Sequence, residues 1–481
     1  MAGGGSGSEA ASQHIGGDII WPNPGHEMAA VARVLLRCYK ENDRPILYWE
    51  GAGWFCYDGT RYMRFTSEEF EFLLYHFFGP LSYTKINPKT QQQTRVAFNP
   101  DSTFLRRCRE TIRSQAIKKD LIHDSWLDGR KDLVIPLRNG LLRVEDRVLL
   151  DHTPLFFNTH CLPFDYDPNA ARPRRWLRFL DEAWPDDPDS HALLQEWFGY
   201  VLSGRTDLQK MLLLIGVSRS GKGTIARILR EMISAHAYIG LSSRDLAGDF
   251  GLAPLIGKTL AVFSDDRMTV RGTNVVENIL RITGEDAVTA NRKGIDHWLG
   301  SLTVRLMFMS NEVPTFPDAA QAVTNRILPL YMGVSWLGNE DPGLLDDLVL
   351  ELPGIFNWSL DGLARLSANG GRFTDAASAH RVRELVQSGA SPIAEFVGEM
   401  CFVGPDHWVS KDQLFERWHL WCIANRHEPG SKVHFARKLF AAYGTTIQEA
   451  RRGGKGAQVL GYSGIGLQDD RHVYAAAGGS S

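Results

Sequence analysis

Apolar residues along this chain switch between a helical period and a two-residue period, and the switches divide it into elements. Met28, Val31, Val34, Leu35 and Cys38 recur at helical spacing across 26–39, and 46–62 then reads as a β-hairpin. Segments 67–78 and 102–122 predict helices, with 80–100 as a polar link between them. A second hairpin spans 133–144 and 147–150 and ends near Leu162-Pro-Phe-Asp-Tyr-Asp-Pro168. Trp176, Leu177, Phe179, Leu180, Leu193, Leu194, Trp197, Phe198 and Leu202 predict a helical hairpin over 173–204. From 210 to 334 strands and helices alternate, as a parallel sheet covered on both faces requires, with strand candidates at 211–215, 259–264 and 302–310. Segment 344–368 is helical and 377–389 is a charged helix. The last module reads as helices at 393–401, 411–425 and 432–443, then strands at 446–448 and 458–462, which together describe a winged helix.

The expected fold class is therefore α/β, a parallel-sheet core between an α+β module and a C-terminal winged helix. The expected divisions are a tail rich in Gly, Ser and Ala at 1–25, the α+β module at 26–170 and the helical hairpin at 171–205. The sheet core at 206–335, a helical linker at 336–390, the winged helix at 391–470 and a tail at 471–481 follow.

The apolar run Met211-Leu-Leu-Leu-Ile215 leads into Gly216-Val-Ser-Arg-Ser-Gly221-Lys222-Gly223-Thr224, and Ile225-Ala-Arg-Ile-Leu229 follows. In a strand–loop–helix of this kind the glycines let successive backbone N–H groups curl around phosphates. The lysine adds a point charge and the helix N-terminus its dipole. Gly216, Ser220, Gly221, Lys222, Gly223 and Thr224 are the candidate nucleotide-binding residues.

Composition narrows the partners. Hydrophobic residues make up 43% and charged residues 23%, an ordinary globular balance, and no apolar run is long enough to span a membrane, so a cytoplasmic protein is expected. Six scattered cysteines form no C-x-x-C pair and read as buried thiols. A net charge of −3 excludes a uniformly basic nucleic-acid binder, so any contact with DNA must come from local patches. Two patches stand out. Lys432, Arg437, Lys438, Arg451, Arg452 and Lys455 face only Glu449 within 431–461, and Arg292-Lys293 precedes Gly294 in an expected exposed turn. Ordinary solvated surface is the competing reading of both.

Hydrolysis of a bound triphosphate needs a carboxylate at the end of a second strand to hold magnesium, and a base or water-positioning group beside it. Segment 258–266 ends in Asp265-Asp266, with Asp265 the better metal candidate and Asp266 the better water-activating one. The strand at 302–310 ends at Asn311, whose amide can reach both the γ-phosphate and the attacking water. Arg326 precedes another apolar strand, where an arginine facing a neighbouring subunit's nucleotide would act as a finger in trans. Asp165-x-Asp167, by contrast, lies in a proline-flanked turn and is read as a turn.

In this order, Gly216–Thr224, Asp265-Asp266, 283–294, Asn311-Glu-Val-Pro314 and Asn325-Arg326 resemble the superfamily 3 helicases. More narrowly the chain is similar to the helicase portion of phage and plasmid primase-helicases, a similarity that extends to Asn139-Gly-Leu-Leu, Trp197-Phe-Gly-Tyr and the C-terminal region. The resemblance implies an AAA+ core behind a helical collar, assembling as a ring, usually a hexamer, around DNA. It implies ATP and Mg2+ as cofactors, single-stranded and forked DNA as partners, and unwinding 3′ to 5′. A separate primase or replication initiator is a further expected partner. It also implies that Lys222 contacts the β- and γ-phosphates, that Asn311 is the sensor and Arg326 the finger, and that Arg292 and Lys293 sit on a hairpin gripping DNA in the channel.

Two departures matter. Gly223 stands where many such loops carry Ser or Thr on magnesium, which leaves Thr224, Asp265 or water as the ligand. Nothing before Pro173 carries the carboxylate pattern of a primase polymerase domain, so no primer synthesis is expected. The alternatives are a DNA-binding ATPase that does not unwind, such as a loader or defence component, and a nucleotide kinase, since adenylate kinases also carry Gly-Lys-Gly-Thr.

Overall fold

The strand that precedes the glycine loop is buried along its whole length, so it needs neighbours on both edges and apolar cover on both faces. A computed structural model of the chain describes residues 19–50, 52–118, 121–185, 187–264, 273–293, 295–311, 320–380, 382, 392–425, 429–443, 446–452 and 458–468, and it supplies both. Five strands, β1 (Met211–Gly216), β2 (Tyr238–Leu241), β3 (Leu260–Phe263), β4 (Arg305–Ser310) and β5 (Ile327–Met332), form one sheet in the order β2-β3-β4-β1-β5. Every pairing is parallel. Pro329 sits in β5, an edge strand, where its missing N–H is tolerated.

Alternate residues serve two cores. Leu212 and Leu214 of β1 join Leu260, Val262, Met307 and Met309 in a cluster with the helix that follows the loop, α1 (Lys222–Ile233), and with the helical hairpin. Met211, Leu213 and Ile215 point the other way, onto Phe263, Phe308 and the helix Thr273–Thr283. The expected helical hairpin forms as Arg174–Ala183 and Pro188–Leu202, and its second helix packs on Leu352–Ala368. Their approach is close because both carry glycine at the crossing. A Cβ on Gly199 would lie 2.6 Å from the Ser359 carbonyl, and one on Gly362 would lie 2.4 Å from that of Gln195. The buried Glu196 carboxylate beside them accepts from Arg365 Nε at 2.8 Å and from the Thr374 N–H at 2.7 Å.

The N-terminal module corrects two expectations. Trp21, in the stretch read as a tail, is buried, with ring centroids 5.8, 5.4 and 5.7 Å from Phe77, Phe78 and Phe98. The supposed polar link contains an antiparallel ladder, Ser82–Ile86 with Gln93–Ala97. Its residues are half or fully exposed, so no apolar alternation betrays it. Helices Met28–Glu41, Ser67–Phe78 and Ser102–Ala116 form as expected, except that Ile117–Lys118 leaves the last helix to pair in parallel with Tyr48 and Trp49.

The C-terminal module has helices Pro392–Met400, Lys411–Ala424 and Lys432–Tyr443. Its sheet has three strands rather than the expected two, because Cys401–Ser410 pairs antiparallel with Val459–Leu467. That strand is buried only at its ends and its register shifts between Val403 and Trp408, which hides its two-residue period. The charged helix expected at 377–389 and the tails at 1–18 and 471–481 fall largely or wholly outside the described residues. No described helix is both long and apolar enough to cross a membrane.

A polar joint ties the N-terminal module to the sheet. His160 is buried and bonds Thr259 Oγ1 through Nε2 at 3.0 Å. The Nδ1 atoms of His160 and of nearby His123 are buried without a hydrogen-bond partner among the described residues. Burial pushes the His123 imidazole down to about 4 and lowers that of His160. Both groups therefore bind protons more readily in the unfolded chain. Their stabilising effect is complete above the ordinary histidine value of 6.5 and is lost as pH falls from there toward about 4. Denaturation midpoints measured across that window should fall, by about 1–3 kcal/mol in total, and His123→Phe should flatten the fall.

Candidate active site

The glycine loop runs from the C-terminal end of β1 to the first turn of α1, at the edge of a cleft of about 960 Å³. Gly221 has φ 89° and caps the helix in a left-handed conformation. A Cβ there would also lie 2.8 Å from Phe179, so glycine is required twice over. The loop is fastened to the end of β5 and the segment after it. The Val217 N–H donates to the Met332 carbonyl at 3.2 Å, the Trp336 N–H to the Arg219 carbonyl at 3.0 Å, and Ser335 Oγ to the Ser218 carbonyl at 2.9 Å.

Lys222 is the first residue of the helix and is buried. Its Nζ donates to the carbonyls of Gly216 at 2.7 Å and Val217 at 2.8 Å, to Ser220 Oγ at 3.2 Å and to Asn311 Oδ1 at 3.0 Å. Two residues 89 apart in sequence thus meet because β1 and β4 are adjacent parallel strands that end together, with Ile215 opposite Ser310. A cation gathered at the loop and the helix N-terminus is suited to an incoming polyanion, which can take over from its acceptors. Ser264, after β3, lines the same cleft. Asp265 and Asp266 follow it directly and lie outside the described residues.

Thr224 lines the cleft and offers a hydroxyl that suits a hard cation. Nothing lies within 4 Å of a Cβ built on Gly223. The missing hydroxyl at that position is therefore no steric necessity. Gly223→Ser should fold normally and gain about 0.5 kcal/mol from helix propensity, read as a raised urea midpoint.

Arg326 is not with this group. It precedes β5, its carbonyl accepting from the Met211 N–H at 2.9 Å, and so sits at the opposite end of the sheet from the loop. It is half-buried, and its Nη1 donates to the Ala322 carbonyl at 3.3 Å.

Arg292 and Lys293 lie at the turn of an antiparallel hairpin, Ala287–Arg292 with Ile295–Ser301. Arg292 is half-buried and Lys293 exposed. Arg292 stands close enough to Arg64 of the N-terminal sheet that its charge, after burial, helps to lower the Arg64 guanidinium below its ordinary value. In the C-terminal module Arg437, Arg451 and Arg452 are exposed and Lys438 is half-buried. Lys432 is paired with Asp412 at 2.6 Å, so its charge is shared, and Glu449 pairs with Lys411. Lys455 lies outside the described residues. Asp165 pairs with Arg138 at 2.8 Å, in keeping with a turn.

Sequence reasoning missed the far wall of the cleft, formed by Arg175, Phe179, Trp336 and Asp341. These residues come from the helical hairpin and from the segment after β5, and no motif marks them. Arg305 was also missed. It is buried at the start of β4, and its guanidinium, pushed down to about 10 by burial, still carries its charge at neutral pH.

Two family models match segments of the chain. Residues 32–185 match the family described as "D5 N terminal like", and residues 214–326 match a "Family of unknown function (DUF5906)", whose span runs from the glycine loop to Arg326. No curated protein matches the chain. Among solved structures, the apo structure of the NrS-1 C-terminal region has a TM-score of 0.49 at 10% identity, over 90% of this chain and 98% of that one. The A form apo structure of the same region has a TM-score of 0.52 at 9% identity, over 89% of this chain and 98% of that one. The likeness to the A form is one of fold, and it runs through almost the whole chain.

Proposed function

We propose that the chain is a ring-forming, DNA-stimulated ATPase that moves along one strand and unwinds duplex 3′ to 5′ in the replication of a phage, plasmid or integrated element. Its resemblance to the superfamily 3 helicases supplies the ring, the polarity and the setting. The observation that carries the reading is the polarity of the parallel sheet. Lys222 and Asn311 meet at the C-terminal ends of β1 and β4, whereas Arg326 precedes β5. Six strand residues separate the two ends, about 20 Å. An arginine so placed cannot serve its own cleft, which favours a composite site between neighbouring copies.

In this reading Lys222 leaves its loop carbonyls for the β- and γ-phosphates, and backbone N–H groups of the loop take the remaining oxygens. Asn311 orients the attacking water and Asp266 takes its proton. Arg326 of a neighbouring copy stabilises the charge on the phosphoryl group in flight. Mg2+ would neutralise charge across the bridging oxygen, held by Asp265 and the Thr224 hydroxyl. Arg292 and Lys293 would face DNA in the channel. The helices and three-stranded sheet at the C-terminus suit a winged helix offering Arg437, Lys438, Arg451, Arg452 and Lys455 to duplex.

Strand displacement on forked DNA with ATP tests this function. ATP turnover that DNA stimulates without displacement would favour a loader, and turnover indifferent to DNA, with phosphate passed to a nucleoside monophosphate, would favour a kinase. Within the helicase reading, Arg292→Ala with Lys293→Ala should reduce unwinding at least about tenfold and flatten the salt dependence of DNA affinity by about two charges. Basal ATP turnover without DNA should be unchanged.

A further inference from the structure

The phosphate loop occupies only one side of its cleft. The other side is walled by the helical hairpin and the segment after β5. Phe179 and Trp336 lie face to face there, with centroids 6.0 Å apart and planes 29° apart. Trp336 is half-buried, with one face on Phe179 and the indole on the cleft wall. Its backbone N–H is tied to the loop at Arg219, so the ring is held at a fixed offset from the phosphates.

Arg175 stands on the same wall. Its Nη2 contacts Asp341 Oδ2 at 3.1 Å, whereas Nη1 lies 3.8 Å from Glu182 Oε2, beyond hydrogen-bond reach. That nitrogen is buried with no hydrogen-bond partner among the described residues. A buried guanidinium nitrogen left in this state wants an acceptor. Arg175 itself lines the cleft, so an acceptor on a bound ligand lies within a small side-chain movement of that nitrogen.

We propose that Trp336 and Arg175 form the nucleoside end of the site: the indole takes the base by stacking, and the Arg175 guanidinium donates to an acceptor on the nucleoside. The inference rests on the nucleotide reading of the loop. It adds that this protein selects a nucleoside triphosphate over a bare phosphate chain, and that the selection is made by residues outside any loop motif. A flat aromatic face backed by a second ring suits a nucleobase, whose stacking depends little on its identity. Discrimination between bases then falls to the polar groups around the ring.

Binding of Mg2+-ATP and of Mg2+-tripolyphosphate to the full-length chain, measured by calorimetry, tests this directly. Trp336→Leu should weaken ATP about tenfold or more while leaving tripolyphosphate within about twofold, and Trp336→Phe should recover most of the loss. Arg175→Gln should weaken ATP alone. Lys222→Ala should weaken both ligands. If Trp336→Leu weakened the two equally, the ring would be a prop for the loop and the proposal would fall. It would also fall if ATP affinity were unchanged. If Lys222→Ala spared both ligands, the nucleotide reading of the loop itself would fail, an outcome separate from the others.

Discussion

Lys222→Ala should abolish the proposed ATP hydrolysis, with a loss of about 10³-fold or more in kcat/KM, while the chain stays folded. The ammonium is the loop cation placed among the Gly216 and Val217 carbonyls, Ser220 and Asn311, where a β- or γ-phosphate would take their place. In the proposed reaction, removing it would forfeit charge stabilisation that grows as the phosphoryl group departs. Ser220 and Asn311, two of its partners, line the cleft, and water can enter where the ammonium was, so the thermal midpoint should move by only a few degrees. Lys222→Arg should not restore turnover, because a planar guanidinium does not fit a point-charge site built from four converging acceptors. Single-turnover hydrolysis beside a thermal melt checks both halves. Retained turnover would remove the loop from the mechanism.

Arg305→Leu should lower stability by about 2–4 kcal/mol. Arg305 Nη1 donates to the carbonyls of Gly204 at 3.0 Å and Thr303 at 2.7 Å, and Nη2 to that of Val201 at 2.7 Å. The Val201 carbonyl belongs to the last turn of the helix Pro188–Leu202, where a cation also complements the helix dipole. Leucine fills the volume but strands three acceptors. Because β4 starts at Arg305 and is followed by Asn311, the same substitution should reduce ATP turnover even where the chain remains folded. Urea denaturation gives the first effect and steady-state turnover the second. Arg305→Lys, which keeps charge but not the fork, should fall between. Unchanged stability would mean that desolvating the guanidinium offsets its bonds.

Much of this architecture was legible from residue patterns. A continuous apolar run such as 211–215, too short for a helix and closed by glycine, reads as a strand buried on both faces, and the glycine loop after it is readable because its chemistry is local. Helices with one apolar stripe, such as 174–183, were equally plain. What escaped was structure whose signal is not apolar. The ladder of 82–86 with 93–97 is solvent-facing, and Cys401–Ser410 is buried only at its ends. Trp21 was hidden by its setting, a short apolar run between the Gly- and Ser-rich start and Pro22-Asn-Pro-Gly25. In the site, sequence order located Lys222 and Asn311 but could not bring them to 3.0 Å, which depends on strand order. Arg175 and Trp336 carry no motif, since their meaning comes from the wall they share.

The two glycines at the crossing of Pro188–Leu202 with Leu352–Ala368 bear on how this chain can change over evolutionary time. One apolar cluster takes in the helical hairpin, a face of the sheet and the helix beyond it. The junction near residue 205, open to a reader of the sequence as a seam, is therefore crossed by a single interior. Recombination there would divide that interior and separate a pair of backbones fitted to each other at the distance only glycine permits. The first part of the N-terminal module, from Trp21 to Ala116, has its own core and can be exchanged more freely, whereas Ile135, Leu137, Leu142, Leu162 and Phe164 already belong to the shared interior. The hairpin, sheet and closing helix can be inherited only as a block.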